Sequence, residues 1–561
     1  MKYATSDRYI SISFYNCNNK IINDTRLFKI YAMEFAKSIN LSPIKYTYSL
    51  PNDSGINVHL FLENCYLSFL FENKINLLKI NIFSLTEINM QLTTAISYLK
   101  NAIQSSKCEI NELYDNKPIN ENIHALIPVK EDLTRLETFP PSFNSPIITI
   151  LGSAGGVAKG ILSILNVAIS DLNDPIHSYI INCKLYLIDK CQKNLQYYKK
   201  HFPNLINKIS IIELDLKDNK KFIDHLKKTN TQVVIDISFA DTVDMLRCCN
   251  SLNVIYINSA FESTAVDENE SFAGFSLQER YKIFESHRNE FKNTLGIICS
   301  GMNPGVVQWM AIELMKKYPN EMPKGCYIVE DDTTFFKDKS LAKEDTIYTS
   351  WYPEGFLDEA IYSYPNFIKN HHSLFLYKEV YELEFKVTLG NKVFYGCLMP
   401  HEEALTLGKM YPMETGFIYK INEHTTNLIR KNLSNLDKLW SKEMVVLDPE
   451  KTPLIGEDLV GILLTFNNKE AFMYNSLKNE VAFKKYNINA TYLQVASGIY
   501  GALCSVLLDK IPKGIYYVDE LLTTTNSKYG EYLSYHLKEF VYGENNKSDG
   551  SLLNRLREIK F

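Results

Sequence analysis

Residues 146–162, PIITILGSAGGVAKGIL, decide the fold that this sequence predicts. Residues Ile147–Leu151 are β-prone and predict a strand, a glycine turn follows, and the next apolar run predicts a helix. Glycine permits the tight turn and the close approach of the backbone to a pyrophosphate, while the helix N-terminus offers free amides to phosphate. A glycine turn alone is as often structural, and the flanking strand and helix favour a dinucleotide site. The turn residues expected at the cofactor are Gly152, Gly155, Gly156 and Ala158, which stands in the place of a third glycine.

The bulk composition is that of an ordinary soluble globular protein. The chain has 561 residues, enough for about two to four domains of roughly 150 residues each. It is 45% hydrophobic and 22% charged, and its net charge of −5 gives no reason to expect nucleic acid or an anionic membrane as a partner. No stretch approaches the ~20 apolar residues of a membrane span, and the first residues lack the pattern of a signal peptide. The eleven cysteines form no CxxC pair, which predicts reduced thiols and a cytoplasmic location.

Five further strand-like segments follow the glycine turn, and each is separated from the next by a segment of helix length. They cover residues 184–188, 209–214, 232–237, 254–257 and 295–299. Repeated βα units of this size predict an α/β fold built on a Rossmann-type, doubly wound parallel sheet. We therefore predict a nucleotide-binding domain over residues 146–317.

Polar residues at the ends of these strands are expected to meet the cofactor, because ligands bind at the carboxyl edge of open α/β sheets. Asp189 ends the second strand, where a carboxylate suits the adenosine ribose hydroxyls and favours NAD over NADP; a plain helix cap is the alternative. Asp215, after the third strand, is predicted to line the adenine pocket. Ser238 and Asn258 stand at the ends of the next two strands and complete the predicted cofactor-binding set.

The rest of the chain predicts four further segments. Residues 1–112 show the order β-α-β-β-β-α of a small α/β sandwich, and residues 113–145 predict a polar linker with a Pro-Pro break. Residues 318–455 carry strands rich in Tyr, Phe and Val and predict a mixed α/β substrate and dimerisation domain. Residues 456–561 predict a C-terminal segment whose long helix, 487–508, packs back on the nucleotide domain through small residues. The charged tail from residue 529 is expected to be peripheral.

Short sequences within residues 1–112 carry a family resemblance: IND at 22–24, GINV at 55–58, NIF at 81–83 and AISYLKNAI at 95–103. With them the segment resembles the small bacterial S-adenosylmethionine decarboxylase domain. That family cleaves itself before a serine, at a Glu-Ser-His step, to make its pyruvoyl group; here the step is Glu63-Asn64-Cys65. The acid/base histidine falls at Phe69 and the catalytic cysteine at Leu85. Because asparagine has no hydroxyl for the acyl shift, the resemblance implies a pseudo-enzyme domain; an unrelated α/β cap is the alternative.

The second half contains three side chains that suit amine chemistry. Trp351, in TSWYPEGF, stands among acids, where its ring can hold an ammonium group by cation–π attraction; a core position is the alternative. His401, in PHEEA, precedes Glu403 at a spacing that suits proton transfer, although a structural role fits the same pair equally well. Asn303 lies in the turn GMNPG directly after the last predicted strand. No HExxH or other metal-ligand spacing occurs, so no metal is predicted.

Eight motifs stand in order over residues 146–520: GSAGGVAKG, NSAFE, GMNPGVV, EDDT, TSWYPEGF, PHEEA, GEDLVGILL and ATYLQVASGIYGAL. Together they resemble bacterial homospermidine synthase, within the wider saccharopine dehydrogenase-like family. The resemblance implies a homodimer with bound NAD that takes a hydride from putrescine. The resulting imine loses ammonia or is captured by a second amine, and the returned hydride gives homospermidine without net redox change.

The same resemblance implies roles for single residues. A polycationic substrate needs an anionic, partly desolvated channel, in which shielded carboxylates titrate abnormally. The acids implied to bind the substrate are Glu262, Glu330, Glu359 and Asp458. Trp351 would stack on a charged nitrogen, His401 with Glu403 would transfer protons, and Asn303 would orient the substrate amine or the nicotinamide.

Two other functions fit parts of the sequence. A carboxynorspermidine-type or saccharopine-type reductase would use NADPH to reduce a Schiff base, and Lys190 directly after Asp189 leaves that alternative open. A non-catalytic polyamine sensor is the other, since one domain already lacks its catalytic residues. The acid-rich motifs favour a diamine, and the presence of Trp351, His401 and Glu403 favours catalysis.

Overall fold

A computed structural model of the chain describes residues 8–39, 45–48, 55–62, 65–72, 75–84, 92–113 and 145–559. The chain divides into two compact units. The first comprises Met1–Asn122 and Leu374–Tyr377, and the second comprises Ile123–Ser373 and Lys378–Phe561. Residues 114–144 of the predicted linker lie outside the described residues.

The described part of the first unit is an antiparallel sheet with helices. Its strands are β1 Arg8–Tyr15, β2 Lys45–Tyr48, β3 Gly55–Leu62, β4 Cys65–Glu72, β5 Leu77–Ser84 and β6 Lys107–Leu113, and its helices are α1 Asn19–Ile22, α2 Thr25–Ser38 and α3 Leu92–Ala102. The sheet order is β2-β3-β4-β5-β1-β6, and neighbouring strands run antiparallel. The predicted small α/β sandwich is confirmed, with β2, β6 and α1 as elements that the predicted order lacked.

Phe69 is the position to which the resemblance assigns the acid/base histidine. It lies on β4, where alternate residues of the strand face the helices. Its side chain is fully buried, and its ring lies edge-on to Phe28 and Phe35 of α2, at centroid distances of 6.4 and 5.6 Å. The position aligned with the acid/base histidine therefore serves helix-to-sheet packing. The other positions of that comparison, Glu63, Asn64 and Leu85, lie outside the described residues.

The remaining elements belong to the second unit, except the end of β17. The strands are β7 Ile147–Leu151, β8 Lys184–Asp189, β9 Ile209–Glu213, β10 Val233–Asp236, β11 Ile255–Asn258, β12 Leu295–Ile298, β13 Gly325–Asp332, β14 Phe335–Phe336, β15 Thr346–Thr349, β16 Asn366–Lys369, β17 His372–Phe375, β18 Leu383–Leu389, β19 Lys392–Met399, β20 Glu414–Lys420, β21 Glu443–Val446, β22 Leu454–Ile455, β23 Glu457–Thr465, β24 Glu470–Lys478, β25 Gly514–Tyr517, β26 Phe540–Asn545 and β27 Leu556–Glu558. The helices are α4 Gly156–Ala168, α5 His177–Ile180, α6 Leu195–His201, α7 Asn219–Thr229, α8 Thr242–Ser251, α9 Thr264–Asp267, α10 Ser276–His287, α11 Val306–Lys316, α12 Pro353–Ile361, α13 Glu402–Met410, α14 Glu423–Lys431, α15 Asn479–Tyr486, α16 Ala490–Leu508, α17 Val518–Thr524 and α18 Tyr529–Leu533.

A parallel sheet with the order β25-β12-β11-β10-β7-β8-β9 carries the glycine turn. The strand order reverses between β7 and β10, which opens a crevice at their carboxyl ends. The predicted Rossmann-type doubly wound sheet is confirmed. Strand β12, the last strand that the sequence predicted for this sheet, is not its edge, because β25 of the C-terminal segment pairs with it from Gly514 onward. A four-residue strand shows too little periodicity for its partner to be found from sequence.

A second, mixed sheet has the order β26-β24-β23-β13-β20-β19-β18-β27, with β16 beside β20. At its centre β13 runs parallel to β20 and antiparallel to β23. Strands β26 and β27 come from the tail that was expected to be peripheral, and that expectation was wrong. Arg555 of this tail is 3% exposed and forms an ion pair with Glu470 of β24. The end of the chain is therefore part of the second sheet.

Helix α16 packs against α4 and supports the glycine turn from behind. A Cβ at Gly160 of α4 would lie 2.7 Å from the carbonyl oxygen of Tyr492, so glycine is needed for the close approach of the two helices. Gly498 of α16 packs against Gly301 in the same way, and Gly301 stands two residues before Asn303. The expectation that no stretch approaches a membrane span was wrong by length and composition, because α16 is the one described helix that would qualify. However, 83% of its most apolar segment is buried inside the protein. It is a core helix of this fold.

Candidate functional site

The glycine turn is held against the end of β10. Gly152 has a φ of +72°, and a Cβ there would lie 2.5 Å from the carbonyl oxygen of Ile237. Gly155 is the N-cap of α4 and no side chain caps that helix, so the amides of its first turn face outward for a ligand. Gly156 packs directly on the ring of Tyr492. The turn thus combines close backbone approach with uncapped amides, which is what a pyrophosphate requires.

A cleft of about 1020 Å³ opens at this turn. It is lined by six of the eight predicted cofactor residues together with Trp351 of the predicted substrate site. The six are Gly152, Gly155, Gly156, Asp189, Asp215 and Ser238. These residues fit a dinucleotide, because an open glycine backbone and a carboxylate at the next strand end meet in one crevice.

Asp189 supports the turn from the end of β8. One carboxylate oxygen accepts a hydrogen bond from the amide of Ala154 at 3.0 Å, and the other accepts from the amide of Cys191 at 2.9 Å. Helix α6 is capped by Asn194, so Asp189 is not the helix cap that was its alternative. Each carboxylate oxygen retains a lone pair that ribose hydroxyls can use.

The other two predicted cofactor residues lie away from the cleft. Ala158 is fully buried in the first turn of α4. Asn258 is 3% exposed; its side chain accepts from the amide of Cys299 and donates to the carbonyl of Ala260, both at 2.8 Å. It therefore ties the ends of β11 and β12 together. The role of a third glycine, close packing of the helix, falls to Gly160, which the prediction did not select.

Three buried acids form a cluster at the centre of the mixed sheet. Glu330, Asp332 and Asp458 are 5%, 1% and 0% exposed. Asp332 and Asp458 are paired in the antiparallel register of β13 and β23, so their side chains share one face. No Lys or Arg of the described residues forms an ion pair with any of the three, and Oδ1 of Asp458 has no hydrogen-bond partner. Sequence reasoning missed Asp332, which it quoted only within the motif EDDT.

Polar side chains hold this acid cluster from three directions. The hydroxyl of Thr491, on α16, donates to Oδ2 of Asp458 at 2.6 Å. The hydroxyl of Ser350 donates to Oδ2 of Asp332 at 2.6 Å. The amide of Asn303 donates to Glu330 Oε2, also at 2.6 Å. Because Asn303 follows β12, the cluster is joined to the carboxyl edge of the parallel sheet.

Burial and mutual repulsion favour the protonated form of these acids. Burial raises the pKa of Glu330 well above its usual value, and the charges of Asp458 and Asp332 raise it further. Burial likewise raises the pKa of Asp458, with Asp332 adding to the effect, and burial raises that of Asp332 itself. A cation that enters the cluster would relieve the repulsion and favour the charged carboxylates.

His401 lies buried ahead of α13, surrounded by acids. Its Nδ1 contacts Oε2 of Glu403 and lies 3.7 Å from Oε2 of Glu402. Burial by itself lowers the pKa of His401, but the charges of Glu403, Glu402 and Glu359 outweigh it and raise the pKa to about 10. Oε1 of Glu403 is buried without a hydrogen-bond partner. The surrounding carboxylates therefore favour the imidazolium form of His401.

The same three neighbours, His401, Glu402 and Glu403, bring one potential ligand atom each within 4.8 Å of one another. No metal-ligand spacing in the sequence pointed to this cluster. The contact between His401 and Glu403 occupies Nδ1 and Oε2, whereas Oε1 of Glu403 has no hydrogen-bond partner. The absence of a metal from the site stays a prediction.

Aromatic rings connect these groups to the cleft. Trp351 lines the cleft, and its indole N–H points to the hydroxyl of Tyr419 at 3.3 Å. Tyr419 stacks on Phe417 at a centroid distance of 5.6 Å, and Phe417 lies 4.5 Å from the imidazole of His401. Tyr419 is also the register partner of Glu330. The cleft, the acid cluster and His401 thus belong to one continuous region.

Glu262 and Glu359 complete the acidic surroundings. The pKa of each is raised to about 8, mainly by burial, and the charge of Glu402 contributes to the rise. Arg280 opposes this rise at Glu262, and His401 opposes it at Glu359. The structure thus brings the predicted catalytic and substrate-binding residues together in one region of the second unit.

Comparisons with known proteins find similarities in sequence to two kinds of enzyme. Residues 8–114 match the family model of S-adenosylmethionine decarboxylase. Over 342 residues the chain is 25% identical to homospermidine synthase of Mesorhizobium japonicum, which covers 50% of this chain and 68% of that protein. The chain therefore resembles homospermidine synthase and carries an N-terminal segment that resembles the decarboxylase.

Two solved structures match parts of the chain. Saccharopine dehydrogenase (L-Glu forming) of Saccharomyces cerevisiae matches with 11% identity and a TM-score of 0.44, over 71% of this chain and 100% of its own. Adenosylmethionine decarboxylase of Aquifex aeolicus matches with 14% identity and a TM-score of 0.18, over 21% of this chain and 97% of its own.

Proposed function

We propose that this protein is an NAD-dependent homospermidine synthase. It would join two putrescines, or putrescine and spermidine, and release ammonia or diaminopropane. The main support is the cluster of Glu330, Asp332 and Asp458, which is buried with no ion-pairing Lys or Arg among the described residues. Tyr419, the register partner of Glu330, accepts the indole N–H of Trp351, which lines the cleft. Such a cluster suits a diamine, because an ammonium group neutralises the acids and its carbon chain lies against apolar surface.

The cleft favours NAD over NADP. Asp189 places a carboxylate at the end of β8, where it accepts ribose hydroxyls and repels a 2′-phosphate. Lys190 does not offset this, because its Nζ forms an ion pair with Asp215 at 3.1 Å. Bound NAD would supply a hydride acceptor that returns the hydride later in the same cycle. The turn at Gly152 would hold its pyrophosphate on backbone amides.

The reacting amine would be held between Trp351 and Asn303. A tryptophan ring face attracts a charged nitrogen, and the attraction is strongest where water is excluded. Asn303 is anchored on Glu330, so its amide orients the same nitrogen that the carboxylate binds. Two contacts on one nitrogen fix which carbon faces the nicotinamide side of the cleft.

Proton transfer would fall to His401 with Glu403. An ammonium group must lose a proton before its carbon donates a hydride or its nitrogen attacks an imine. His401 contacts Glu403, and burial raises the pKa of the neighbouring Glu359 to about 8. His401 as the imidazolium would give its proton to the leaving ammonia, and the neutral imidazole would then take the proton that the attacking amine loses.

Incubation with putrescine and NAD, followed by polyamine mass spectrometry, tests the proposal. We expect homospermidine and an equal amount of ammonia, without accumulation of NADH. Putrescine deuterated on both aminomethyl carbons should give homospermidine that keeps all of its α-deuterons, because the abstracted hydride returns. If added unlabelled NADH replaces deuterium in homospermidine by hydrogen, the cofactor exchanges within the cycle.

Two parallel incubations separate the rival functions. An amine with a keto acid or an amino-acid semialdehyde and NADPH tests a reductase, and product only there would replace the proposal. Binding of putrescine by calorimetry without product in either incubation would identify a sensor.

A further inference from the structure

Two exposed aromatic side chains face each other at the cofactor cleft. Phe239 is 66% exposed and Tyr352 is 42% exposed, yet their rings lie only 4.7 Å apart at an interplanar angle of 44°. Both residues line the cleft. Large aromatic surface left to water is unfavourable, and a contact between two such rings at the rim of a binding cleft points to a ligand that covers them.

The two rings come from opposite sides of the cleft. Phe239 follows β10 of the parallel sheet, two residues after Ile237, whose carbonyl packs on Gly152 of the glycine turn. Tyr352 is the N-cap residue of α12 and directly follows Trp351 of the proposed substrate site. The pair therefore spans the cleft between the pyrophosphate turn and the tryptophan.

A glycine sets the position of the tyrosine ring. A Cβ at Gly355 would lie 2.9 Å from Cδ1 of Tyr352 and 3.4 Å from the Trp351 ring. The glycine of the motif TSWYPEGF thus leaves the space in which Tyr352 turns toward Phe239. None of the roles proposed above for this motif uses that space.

We propose that Phe239 and Tyr352 close over the bound dinucleotide and hold it between catalytic cycles. The inference rests on the proposed use of NAD, and it adds that retention depends on this ring pair in addition to the glycine turn. NAD that accepts and returns a hydride within one cycle need not dissociate, and aromatic rings packed against it slow its dissociation.

The test measures cofactor dissociation without any polyamine. The purified protein is loaded with radiolabelled NAD, chased with unlabelled NAD, and the retained label is followed over time. We expect about threefold to tenfold faster loss for Phe239→Ala and for Tyr352→Ala, and a double variant that is less than additive because the rings act as a pair. Tyr352→Phe keeps the ring and should match the unaltered protein.

Tyr542→Ala provides the matched control. Tyr542 is 63% exposed, lies on β26 of the other sheet and does not line the cleft, so its loss should leave the dissociation rate unchanged. Unchanged dissociation in the Phe239→Ala, Tyr352→Ala double variant would overturn the inference while leaving the proposed function intact. Retained label with no homospermidine formed would refute the proposed function alone, and failure of the unaltered protein to bind NAD would refute both.

Discussion

Replacing Asp458 by asparagine should make the protein more stable and less active. Its carboxylate is fully buried, and one oxygen has no hydrogen-bond partner. Asparagine keeps the hydrogen bond from Thr491 and removes a charge that has no counter-ion among the described residues. If the charge is there to bind an ammonium group, stability and turnover must change in opposite directions.

The loss of activity can be estimated from the charge pair. Two unit charges about 4 Å apart at an effective dielectric constant of about 20 attract by about 4 kcal/mol. If Glu330 and Asp332 recover half of this by redistributing their own charge, about 2 kcal/mol is lost, or roughly thirtyfold in kcat/KM for putrescine. The gain in stability is about 1–2 kcal/mol, from the removal of a poorly solvated buried group.

The stability gain of the Asp458→Asn variant should increase as pH rises. Burial raises the pKa of Asp458 in the folded protein, so between its unfolded and folded pKa values the folded state binds more protons. Stability of the unaltered protein therefore falls as pH rises through that window, and Asp458→Asn removes the fall. The difference in melting temperature between variant and unaltered protein should widen as pH rises.

Melting curves over a pH series and steady-state kinetics with putrescine check both halves of this prediction. Glu457→Gln is the matched control, because Glu457 stands next to Asp458 but forms an ion pair with Lys392 at 2.8 Å. Its loss should slightly lower stability and leave kcat/KM unchanged. An Asp458→Asn variant that melts earlier and turns over normally would refute the assignment of this cluster to substrate binding.

Four further outcomes test other parts of the site. Glu403→Gln should lower the pKa of His401 from about 10, since Glu403 is the largest charge that raises it. The stability that depends on the imidazolium should then be lost at lower pH. An imidazole NMR titration with an unchanged midpoint would contradict this. Trp351→Ala should reduce kcat/KM for putrescine by roughly tenfold or more while NAD affinity measured by calorimetry stays the same, and Trp351→Phe should fall between the two. Gly152→Ala should abolish NAD binding, because its Cβ would meet the Ile237 carbonyl at 2.5 Å; normal affinity would exclude this turn as the pyrophosphate site. Dialysis against a chelator should leave activity intact, and lost activity that returns with one added metal would assign His401, Glu402 and Glu403 to that metal.

The features of the fold that the sequence predicted are encoded by residues close together in the chain. The strand Ile147–Leu151, the glycines after it and the acid at 189 follow from local propensity and from the needs of a tight turn. The doubly wound sheet followed from the repeat of βα units, since parallel strands need crossover helices. The structure confirms that sheet and places Gly152 in the left-handed conformation that only glycine adopts freely.

Features that were missed depend on contacts between distant segments. No local feature distinguishes Gly160 from other helix residues. Its role depends on α16, which packs on it and lies more than three hundred residues later in the chain. Asp332 was one acid in a run, and its importance comes from its register with Asp458 on another strand. The charged sequence after residue 529 predicted a peripheral tail, yet Arg555 forms an ion pair with Glu470 in the mixed sheet.

The sequence by itself thus determined that a dinucleotide-type turn begins a doubly wound sheet, because a strand, a glycine turn and a helix start specify one another over a few residues. Only the tertiary structure decided that Glu330, Asp332 and Asp458 meet, buried and without an ion-pairing cation among the described residues. The physical reason is that burial and repulsion arise between side chains on separate strands. A carboxylate becomes a binding group for an ammonium ion when the fold removes its water and places other acids against it.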